Sequence, residues 1–283
     1  MDRALLHEEG TYEDPAFPVR TYHFRCDANS NVFTCHWHEE AELLVVTEGT
    51  MLLQLGDHNH RLEAGQAAFI NSGELHAGHC DEGQPFSFLA VVFDRARLFG
   101  SGESSGDIAA ARFSPPFLTP LAEQWGPAFA RRIGQVRLLC EQKPDRYELL
   151  VLSTLYALFH EMLTRGQCAP PAKGDGDRSE RVKRALRHIA AHYQERITVG
   201  ELAALVGVSP GHFCAFFKRM TGRTLIDYVN FYRIQRAAEL LRDGDRKILA
   251  VAMDVGFDNY SYFIHCFKRY TGMTPQAYRR QAG

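Results

Sequence analysis

Four side chains in the N-terminal half have the types and spacing of a metal-binding or polar ligand-binding set. His36 and His38 are two residues apart, Glu42 follows His38 by four residues, and His76 comes later in the chain. Side chains two residues apart on an extended chain point to the same side, and neighbouring strands could bring Glu42 and His76 to the same place. Three imidazoles and a carboxylate suit a divalent transition metal such as Zn, Ni, Mn, Fe or Co. A polar chamber of the same residues without metal would suit a small-molecule effector, so both alternatives stay open.

The elements that would position these side chains are short β-type segments separated by turn residues. The apolar or alternating segments are Thr21–Arg25, Leu43–Thr47, Met51–Leu55, Ala67–Ile70 and Phe86–Phe93. The turns between them are predicted at Glu48-Gly49, Gly56-Asp57, Asn71-Ser72-Gly73 and Glu82-Gly83. Many short strands at this spacing predict a β-sandwich or β-barrel. Three further histidines lack the spacing of a site and are predicted to be surface or strand residues: His58, His60 and His79.

The order of these residues resembles the two motifs of the cupin superfamily, which are small jelly-roll barrels. The first motif is His36-x-His38-x3-Glu42-x6-Gly49, and the second is Gly65-x5-Asn71-x-Gly73-x2-His76. The resemblance implies that His36, His38, Glu42 and His76 form one ligand or metal set inside the barrel. The chain departs from the family pattern at Asn71, where proline is usual, and at Cys80, where asparagine is usual.

A loop and two helices are predicted after the barrel. Gly100–Pro120 is rich in glycine, serine and proline, and Leu121–Leu163 has helical spacing that is broken at Pro144. The segment Glu148–Leu163 is apolar on more than one face, so it either packs within the chain or pairs with a second subunit. The composition of Gly166–Ser179 predicts a flexible linker, after which Arg181–Tyr193 is a helix with Val182, Ala185, Leu186 and Ile189 inward.

Two similar sequences near the C-terminus predict a duplicated helix-turn-helix. The first copy is Val206–Gly222 and the second is Val255–Gly272, and each ends in a Phe-Lys-Arg-x-Thr-Gly sequence. In the first copy, Thr198 and Glu201 have the spacing of a capping box, and Leu202, Leu205 and Val206 form the expected buried face. Gly207 is expected in the turn, while Ser209 and Pro210 are expected to begin the next helix. The aromatic residues expected to point inward in the first copy are Phe213, Phe216 and Phe217. In the second copy, Asp258 is the predicted cap, and Phe263 and Phe267 repeat the inward pair.

These residues resemble the AraC/XylS family of bacterial transcription regulators over roughly the last hundred residues, the size of a small domain. The resemblance also rests on Arg233-Ile234, Ala237-Ala238, Gly256-Phe257, Pro275 and Tyr278-Arg279. It implies two helix-turn-helix units held apart by one long helix, about Thr224–Arg242. Regulators of this family often carry a cupin-like barrel that binds the effector, so the two resemblances agree.

The outward positions of the second helix in each copy are the expected DNA contacts. The resemblance places base contacts of the first copy at Gly211, Cys214 and Ala215, which are small and offer few hydrogen bonds. The recognition helix of the first copy is therefore expected to contribute shape fit and phosphate anchoring, and the recognition helix of the second copy is expected to read bases. The expected set is His212, Cys214, Ala215, Lys218 and Arg219, then Asn259, Tyr260, Ser261, Ile264, His265 and Lys268.

The distribution of charge supports a nucleic-acid partner for the C-terminal half. The chain has 283 residues and a formal charge of −2. Residues 179–283 contain 17 Lys and Arg against 9 Asp and Glu, a charge of +8, whereas residues 1–178 contain 15 against 25, a charge of −10. The seven cysteines form no Cys-x-x-Cys pair, and no apolar signal core or membrane-spanning segment is apparent. A reduced cytoplasm is therefore the expected location.

Together these features predict an α+β protein of two domains. Residues 1–120 are expected to form a cupin-like jelly-roll β-barrel, 121–165 a helical dimerisation or packing segment, 166–179 a linker, and 180–283 an all-α double helix-turn-helix domain. The predicted function is transcription regulation in response to a small-molecule effector, without enzymatic activity. The expected partners are double-stranded promoter DNA, the effector, a second copy in a homodimer and, for an activator, RNA polymerase, with no membrane association. The alternative is a metal-dependent cupin enzyme with an accessory DNA-binding domain.

Overall fold

The computed structural model describes residues 17–26, 35–81, 84–100, 112–113, 116–119, 125–165, 175–242 and 246–282. The predicted turn at Gly83, most of the predicted loop Gly100–Pro120 and the predicted linker as far as residue 174 lie outside the described residues. The chain divides into two compact units. The main part of one is Trp37–Gly176, and the main part of the other is Asp177–Gly283.

The described β-strands form two antiparallel sheets in the N-terminal unit. In chain order the strands are β1 Val19–Cys26, β2 Ala41–Glu48, β3 Thr50–Leu55, β4 His58–Glu63, β5 Ala67–Ile70, β6 His76–Cys80 and β7 Phe86–Phe93. One sheet has the order β1-β7-β2-β5 and the other has the order β4-β3-β6. The predicted N-terminal β-domain is thus confirmed, and among the described strands the two sheets are not closed into one hydrogen-bonded barrel.

Strands β4 and β6 are absent from the sequence prediction because they carry few apolar side chains. Leu62 is the one buried residue of β4, and β6 begins with a histidine and contains a glycine. Both strands pair with the more apolar β3, where Leu53 lies opposite His60 on one side and Gly78 on the other. The pairing partner, and not the intrinsic preference of these residues, therefore places them in a sheet.

Among the described residues of this unit, three helices follow β7: α1 Arg95–Phe99, α2 Trp125–Gln142 and α3 Tyr147–Arg165. The interruption between α2 and α3 confirms the break predicted at Pro144. One core contains residues from the first sheet and from both long helices, including Leu43, Phe69, Val91, Phe129, Ile133, Val136, Val151, Leu155 and Phe159. A second face of α3 remains exposed, with 63% of Leu149, 41% of Tyr156 and 39% of Leu163 accessible. The apolar helix therefore packs within the chain on one face and has an apolar stripe on another.

The C-terminal unit is helical and begins earlier than expected. Helix α4 is Asp175–His192, so the predicted linker does not extend to Ser179. Val182, Ala185, Leu186 and Ile189 are fully buried, which confirms the predicted inner face of this helix. The polar and charged residues at the start of α4 carry little apolar periodicity, which explains why composition alone suggested a linker there.

The first helix-turn-helix consists of α5 Val199–Val206 and α6 Pro210–Thr221, followed by the long helix α7 Leu225–Arg242. The capping box of Thr198 and Glu201 is present, and Ser209 caps α6. Gly207 has a φ of 71°, so the turn uses the left-handed conformation that glycine adopts without strain. Leu205 was predicted to be buried, but 41% of it is exposed. The buried face of this short helix is formed by its neighbours Leu202, Ala203 and Val206.

The second helix-turn-helix consists of α8 Ile248–Asp254 and α9 Tyr260–Thr271, followed by α10 Pro275–Ala282. The N-cap of α9 is Asn259, whose side chain accepts a hydrogen bond from the backbone N–H of Tyr262 at 2.9 Å, and not Asp258 as predicted. From the glycine of the turn to the first inward phenylalanine, the second copy, Gly256 to Phe263, is one residue longer than the first, Gly207 to Phe213. The cap consequently keeps its distance of four residues from the first inward phenylalanine, Phe263, as Ser209 does from Phe213.

The repeat extends into the helix that follows each recognition helix. The ring of Tyr228 packs edge-on against Phe217 with centroids 5.5 Å apart, and Tyr278 packs against Phe267 at the same distance. The first turn of α7 therefore packs against α6 in the same way as α10 packs against α9.

Within the described part of the chain, no single helix has the length and apolar composition needed to cross a bilayer. Helices α5 and α6 meet those two criteria only as a pair, bent by 87°.

Candidate functional site

The four polar residues predicted as a ligand set come from three places in the chain. Of the four, His38, Glu42 and His76 belong to the unit of Trp37–Gly176, and His36 is grouped with the other unit. His36 and His38 lie on the segment before β2, Glu42 is the second residue of β2, and His76 is the first residue of β6. All four residues are buried: the exposed fraction of the surface is 7% for His36, 1% for His38, 5% for Glu42 and 1% for His76. The structure thus brings His38, Glu42 and His76 together within one unit, and both histidines of the His-x-His pair lie just before the strand and not within it.

The nitrogen and oxygen atoms of these side chains converge on a small volume. The Nε2 atom of His38 lies 3.1 Å from Oε2 of Glu42, and the Nε2 atom of His76 lies 3.4 Å from the same oxygen. Two ligands that each bind one ion at about 2.1 Å are separated by about 3.0–3.4 Å at right-angled or tetrahedral geometry. The two measured distances to Glu42 fit that requirement.

Backbone carbonyl groups orient two of the imidazole rings. Nδ1 of His38 is 3.0 Å from the carbonyl oxygen of Glu40, and Nδ1 of His76 is 2.8 Å from that of Glu74. A carbonyl oxygen can only accept, so both Nδ1 atoms carry a proton and both Nε2 atoms are directed towards Glu42. A ligating histidine in a metal site usually has this outer hydrogen bond, which holds the ring and its tautomer.

The electrostatics of the cluster favour an ionised carboxylate. Burial raises the pKa of Glu42, but hydrogen bonds and charge interactions with His38 and His76 outweigh burial and hold that pKa well below its usual range. Burial lowers the pKa of His38, yet Glu42 and Glu40 outweigh it and leave that pKa raised. A buried carboxylate that faces two imidazole Nε2 atoms is a centre of negative charge, and a positive charge between these atoms stabilises it.

Asn71 supports the cluster at the position where the cupin pattern usually has proline. Its Nδ2 donates to Oε2 of Glu74 at 2.8 Å, and its Oδ1 accepts from the backbone N–H of Phe113 at 3.0 Å. The N–H of Gly73 donates to the carbonyl oxygen of His38 at 2.8 Å, which ties the turn before β6 to the His-x-His segment. Glu40, Asn71 and Glu74 were not predicted as site residues. The backbone carbonyls that orient the rings could not be identified from sequence, because any residue type supplies one.

In the first helix-turn-helix, the predicted DNA-facing residues are exposed and the predicted core residues are buried. The exposed residues are His212, Cys214, Ala215, Lys218 and Arg219. Phe213, Phe216 and Phe217 are buried, and Phe213 and Phe217 stack with centroids 5.3 Å apart. The outward surface of α6 therefore offers few hydrogen-bonding groups to a base near its start and two cations near its end.

In the second helix-turn-helix, the outward face of α9 is chemically richer. Five of its predicted residues are exposed and Ile264 is half-buried; the exposed five are Asn259, Tyr260, Ser261, His265 and Lys268. Tyr262 is also exposed, at 47%, although it was not predicted as a DNA contact. Its hydroxyl accepts from Nδ2 of Asn230 at 2.9 Å, so the side chain is held against α7.

Comparison with known proteins identifies both halves of the chain. A family model described as the AraC-like ligand binding domain matches residues 17–159, and one described as a helix-turn-helix domain matches residues 202–281. An uncharacterised HTH-type transcriptional regulator of Bacillus subtilis, YdeC, is 28% identical over 97% of this chain and 95% of its own length. The MmsAB operon regulatory protein of Pseudomonas aeruginosa is 26% identical over 94% of this chain and 83% of its own length.

A third relative matches a shorter stretch. The melibiose operon regulatory protein of Escherichia coli is 33% identical over 35% of this chain and 33% of its own length. The relatives are named as regulators of transcription or of operons, in agreement with the two domains that the family models match. The chain therefore belongs to the AraC family of transcription regulators, with an N-terminal ligand-binding domain and a C-terminal helix-turn-helix domain that binds DNA.

Proposed function

We propose that this regulator senses its effector at the buried cluster of His36, His38, Glu42 and His76. The observation that carries the proposal is the approach of two imidazole Nε2 atoms to one oxygen of Glu42, at 3.1 and 3.4 Å. Polar groups that converge inside a mostly apolar domain indicate a binding site, because their burial is costly without a bound partner or mutual hydrogen bonds. The relatives are named as regulators, which favours sensing over catalysis at this cluster.

The form of the site that we favour holds a divalent transition metal, such as Zn, Ni, Mn, Fe or Co. His38 and His76 would each offer Nε2, His36 would offer a ring nitrogen, and Glu42 would offer a carboxylate oxygen. These donor types suit such ions, and the carbonyl contacts at Nδ1 supply the outer hydrogen bonds that metal-ligating histidines need. When bound, the metal would supply an electrophilic centre for an anionic group of the effector.

Metal analysis of purified protein tests this form of the site. We expect about one equivalent of metal per chain in the unmodified protein and little in His76→Ala, because a lost ligand typically lowers affinity strongly. The matched control is His79→Ala, which removes an exposed histidine from the same strand. A protein that takes up none of the five metals, and whose melting temperature none of them changes, would refute the metal. A thermal-shift screen of small acids, sugars and aromatic compounds then tests an organic effector bound by the same four residues.

The proposed DNA-binding residues have different roles on the two recognition helices, with base contacts made mainly by α9 and phosphate contacts by α6. Ser261 and His265 would hydrogen-bond to base edges and Ile264 would contact a thymine methyl, whereas Lys218 and Arg219 would hold phosphates. His212, Cys214 and Ala215 would fit the groove by shape, while Asn259, Tyr260 and Lys268 complete the surface of the second helix. The test is a gel-shift experiment with DNA from upstream of the chain's own gene, with and without metal or effector. Equal affinity for that DNA and for scrambled DNA would contradict the assignment.

A homodimer through α3 is the proposed oligomeric state. Leu149, Tyr156 and Leu163 are exposed at intervals of seven residues, which places them in one stripe on the helix. An exposed apolar stripe of this kind marks a surface for association. The double variant Leu149→Glu with Leu163→Glu is expected to sediment as a monomer, while Leu138→Glu, on the exposed surface of α2, leaves the dimer intact. Sedimentation of the unmodified protein as a monomer would refute the proposal.

The proposed location is the cytoplasm, where promoter DNA and a reducing environment are both present. The six cysteines of the described residues are free thiols, in agreement with that environment. RNA polymerase would be a further partner if the chain activates transcription.

A further inference from the structure

The two helix-turn-helix copies differ in sequence at the place where they meet. When Gly222 is aligned with Gly272, Met220 corresponds to Tyr270 and Asp227 corresponds to Ala277. Arg223, directly after the end of α6, corresponds to Met273. At these three positions the residue is polar in one copy and apolar in the other. They are therefore candidates for a role that only the pair of copies needs.

These polar residues contact one another across the junction between the copies. Asp227, in the first turn of α7, accepts a hydrogen bond at Oδ1 from the hydroxyl of Tyr270 at 2.7 Å. Nη2 of Arg269 lies 3.1 Å from the same oxygen, and Nη1 of Arg223 donates to the other carboxylate oxygen at 2.8 Å. One carboxylate thus connects the segment that ends the first recognition helix to the last turn of the second.

The surroundings of Asp227 make this connection stiffer than an ordinary surface ion pair. About four-fifths of the Asp227 and Arg223 side chains is shielded, with 20% and 18% exposed. The guanidinium of Arg223 lies 4.7 Å from the ring centroid of Phe231, and that ring packs edge-on against Tyr270. Burial raises the pKa of Asp227, but hydrogen bonds from Tyr270 and Arg223 outweigh burial and lower it. A partly buried carboxylate with two hydrogen-bond donors and a further ion pair to Arg269 has few alternative positions.

A second polar contact fixes the other end of α9. Nδ2 of Asn230, about one turn after Asp227 in α7, donates to the hydroxyl of Tyr262 at 2.9 Å, and Tyr262 lies in the first turn of α9. Helix α9 is consequently held to α7 near both of its ends. Contacts at two points along a helix restrict both sliding along the partner and rotation about the helix axis.

We infer that Asp227, with Tyr270 and Arg269, is a positioning device that sets the spacing between the two half-sites the domain accepts. Successive base pairs are displaced by about 3.4 Å along the duplex axis and rotated by about 35° around it. Two rigidly connected recognition helices can follow only one such spacing, whereas loosely connected helices tolerate an added base pair. This inference rests on the proposed function, in which both α6 and α9 enter DNA.

The test measures spacing preference and not affinity alone. The full chain first selects its site from a random duplex library. Its affinity is then measured on that site, on the site with one base pair added between the half-sites, and on each half-site alone. For the unmodified protein, the added base pair is expected to cost about tenfold in affinity, comparable to the effect of one mismatched base pair.

Asp227→Ala is expected to reduce this tenfold discrimination to about threefold or less, within the range of a weakened base contact. Binding to each half-site alone is expected to match that of the unmodified protein. Tyr270→Phe removes only the hydroxyl and keeps the ring packed on Phe231, so it is expected to give an intermediate ratio. It also carries the test if Asp227→Ala does not fold. Asp254→Ala is the matched control, because its ion pair with Arg246 at 3.1 Å lies within the second copy.

Two results would overturn the inference. If folded Asp227→Ala or Tyr270→Phe retains the full spacing discrimination while losing affinity equally on all three DNAs, the network is structural only. If Asp254→Ala reduces discrimination as much as Asp227→Ala, the effect does not come from the junction. An unmodified chain that selects no sequence would instead refute the proposed function, and this inference with it.

Discussion

The N-cap of the second recognition helix provides a sharp test of how this domain reaches its structure. Oδ1 of Asn259 accepts from the N–H of Tyr262 at 2.9 Å and so satisfies one of the free donors at the start of α9. Asn259→Ala removes this acceptor. Asn259→Ser restores a capping oxygen but lacks the amide group that could read a base. Asp258→Ala changes the neighbouring residue, which has the right chemistry for a cap but does not occupy that position.

The expected magnitudes follow from the geometry. Loss of an exposed N-cap hydrogen bond destabilises a protein by about 1 kcal/mol, and exchange between two good capping residues costs a few tenths. For a domain of roughly a hundred residues, about 1 kcal/mol lowers the melting temperature by about 4–8 °C. We therefore expect Asn259→Ala to melt several degrees lower, while Asn259→Ser and Asp258→Ala stay close to the unmodified protein.

Calorimetry of the full chain measures these shifts, and amide hydrogen exchange in α9 assigns them to the helix. DNA titrations of the same variants separate the two roles of Asn259. A loss of sequence preference in Asn259→Ser at unchanged stability would identify a base contact. The reasoning would be refuted if Asp258→Ala lowered the melting temperature as much as Asn259→Ala, because Asp258 would then be the cap.

Three further predictions concern DNA binding and the integrity of the helical unit. A fragment of residues 179–283, with its charge of +8, is expected to bind DNA with an affinity that falls steeply as salt rises; a folded fragment without salt-dependent binding would contradict this. His265→Ala is expected to cost about 1–3 kcal/mol on the best site and to relax sequence preference, whereas Lys218→Ala weakens all sequences alike and lowers the salt slope by about one. Equal losses for His265→Ala on specific and scrambled DNA would reverse that assignment. Arg233→Lys is expected to lower the unfolding free energy by about 1–3 kcal/mol, because Arg233 donates to two backbone carbonyls, at 2.6 and 2.7 Å, in a forked geometry that lysine cannot reproduce. Urea unfolding measures the difference, and an unchanged midpoint would show that these contacts do not contribute.

Local signals were sufficient for most of the helical domain. The capping box at Thr198, the left-handed turn at Gly207 and the paired phenylalanines four residues apart all act within a few residues of one another. Short-range chemistry of this kind can be predicted from sequence because the partners lie close along the chain. The error at Asp258 has the same origin: two adjacent residues could each cap α9, and the position of Phe263 in the core selected Asn259.

The N-terminal unit depended more on partners that are distant in sequence. Strands β4 and β6 carry polar, histidine-containing sequences, and their structure comes from pairing with β3. The chain pattern likewise could not distinguish a buried face of α3 from an exposed one, because an apolar residue has the same character in a core and at an interface. The packing of α3 on the first sheet decided that Leu155 and Phe159 are buried while Leu149 and Leu163 are exposed.

The sequence alone determined which side chains could form the ligand cluster, since the types and spacing of His36, His38, Glu42 and His76 limit the chemistry available. Only the tertiary structure decided that His38, Glu42 and His76 meet, because β2 and β6 belong to different sheets and no local rule places Nε2 of His76 3.4 Å from Glu42. The same holds for Asp227 and Tyr270, which are 43 residues apart and join through a hydroxyl and a carboxylate. Composition and spacing specify donors and acceptors, whereas the packing of the whole chain fixes the distances between them.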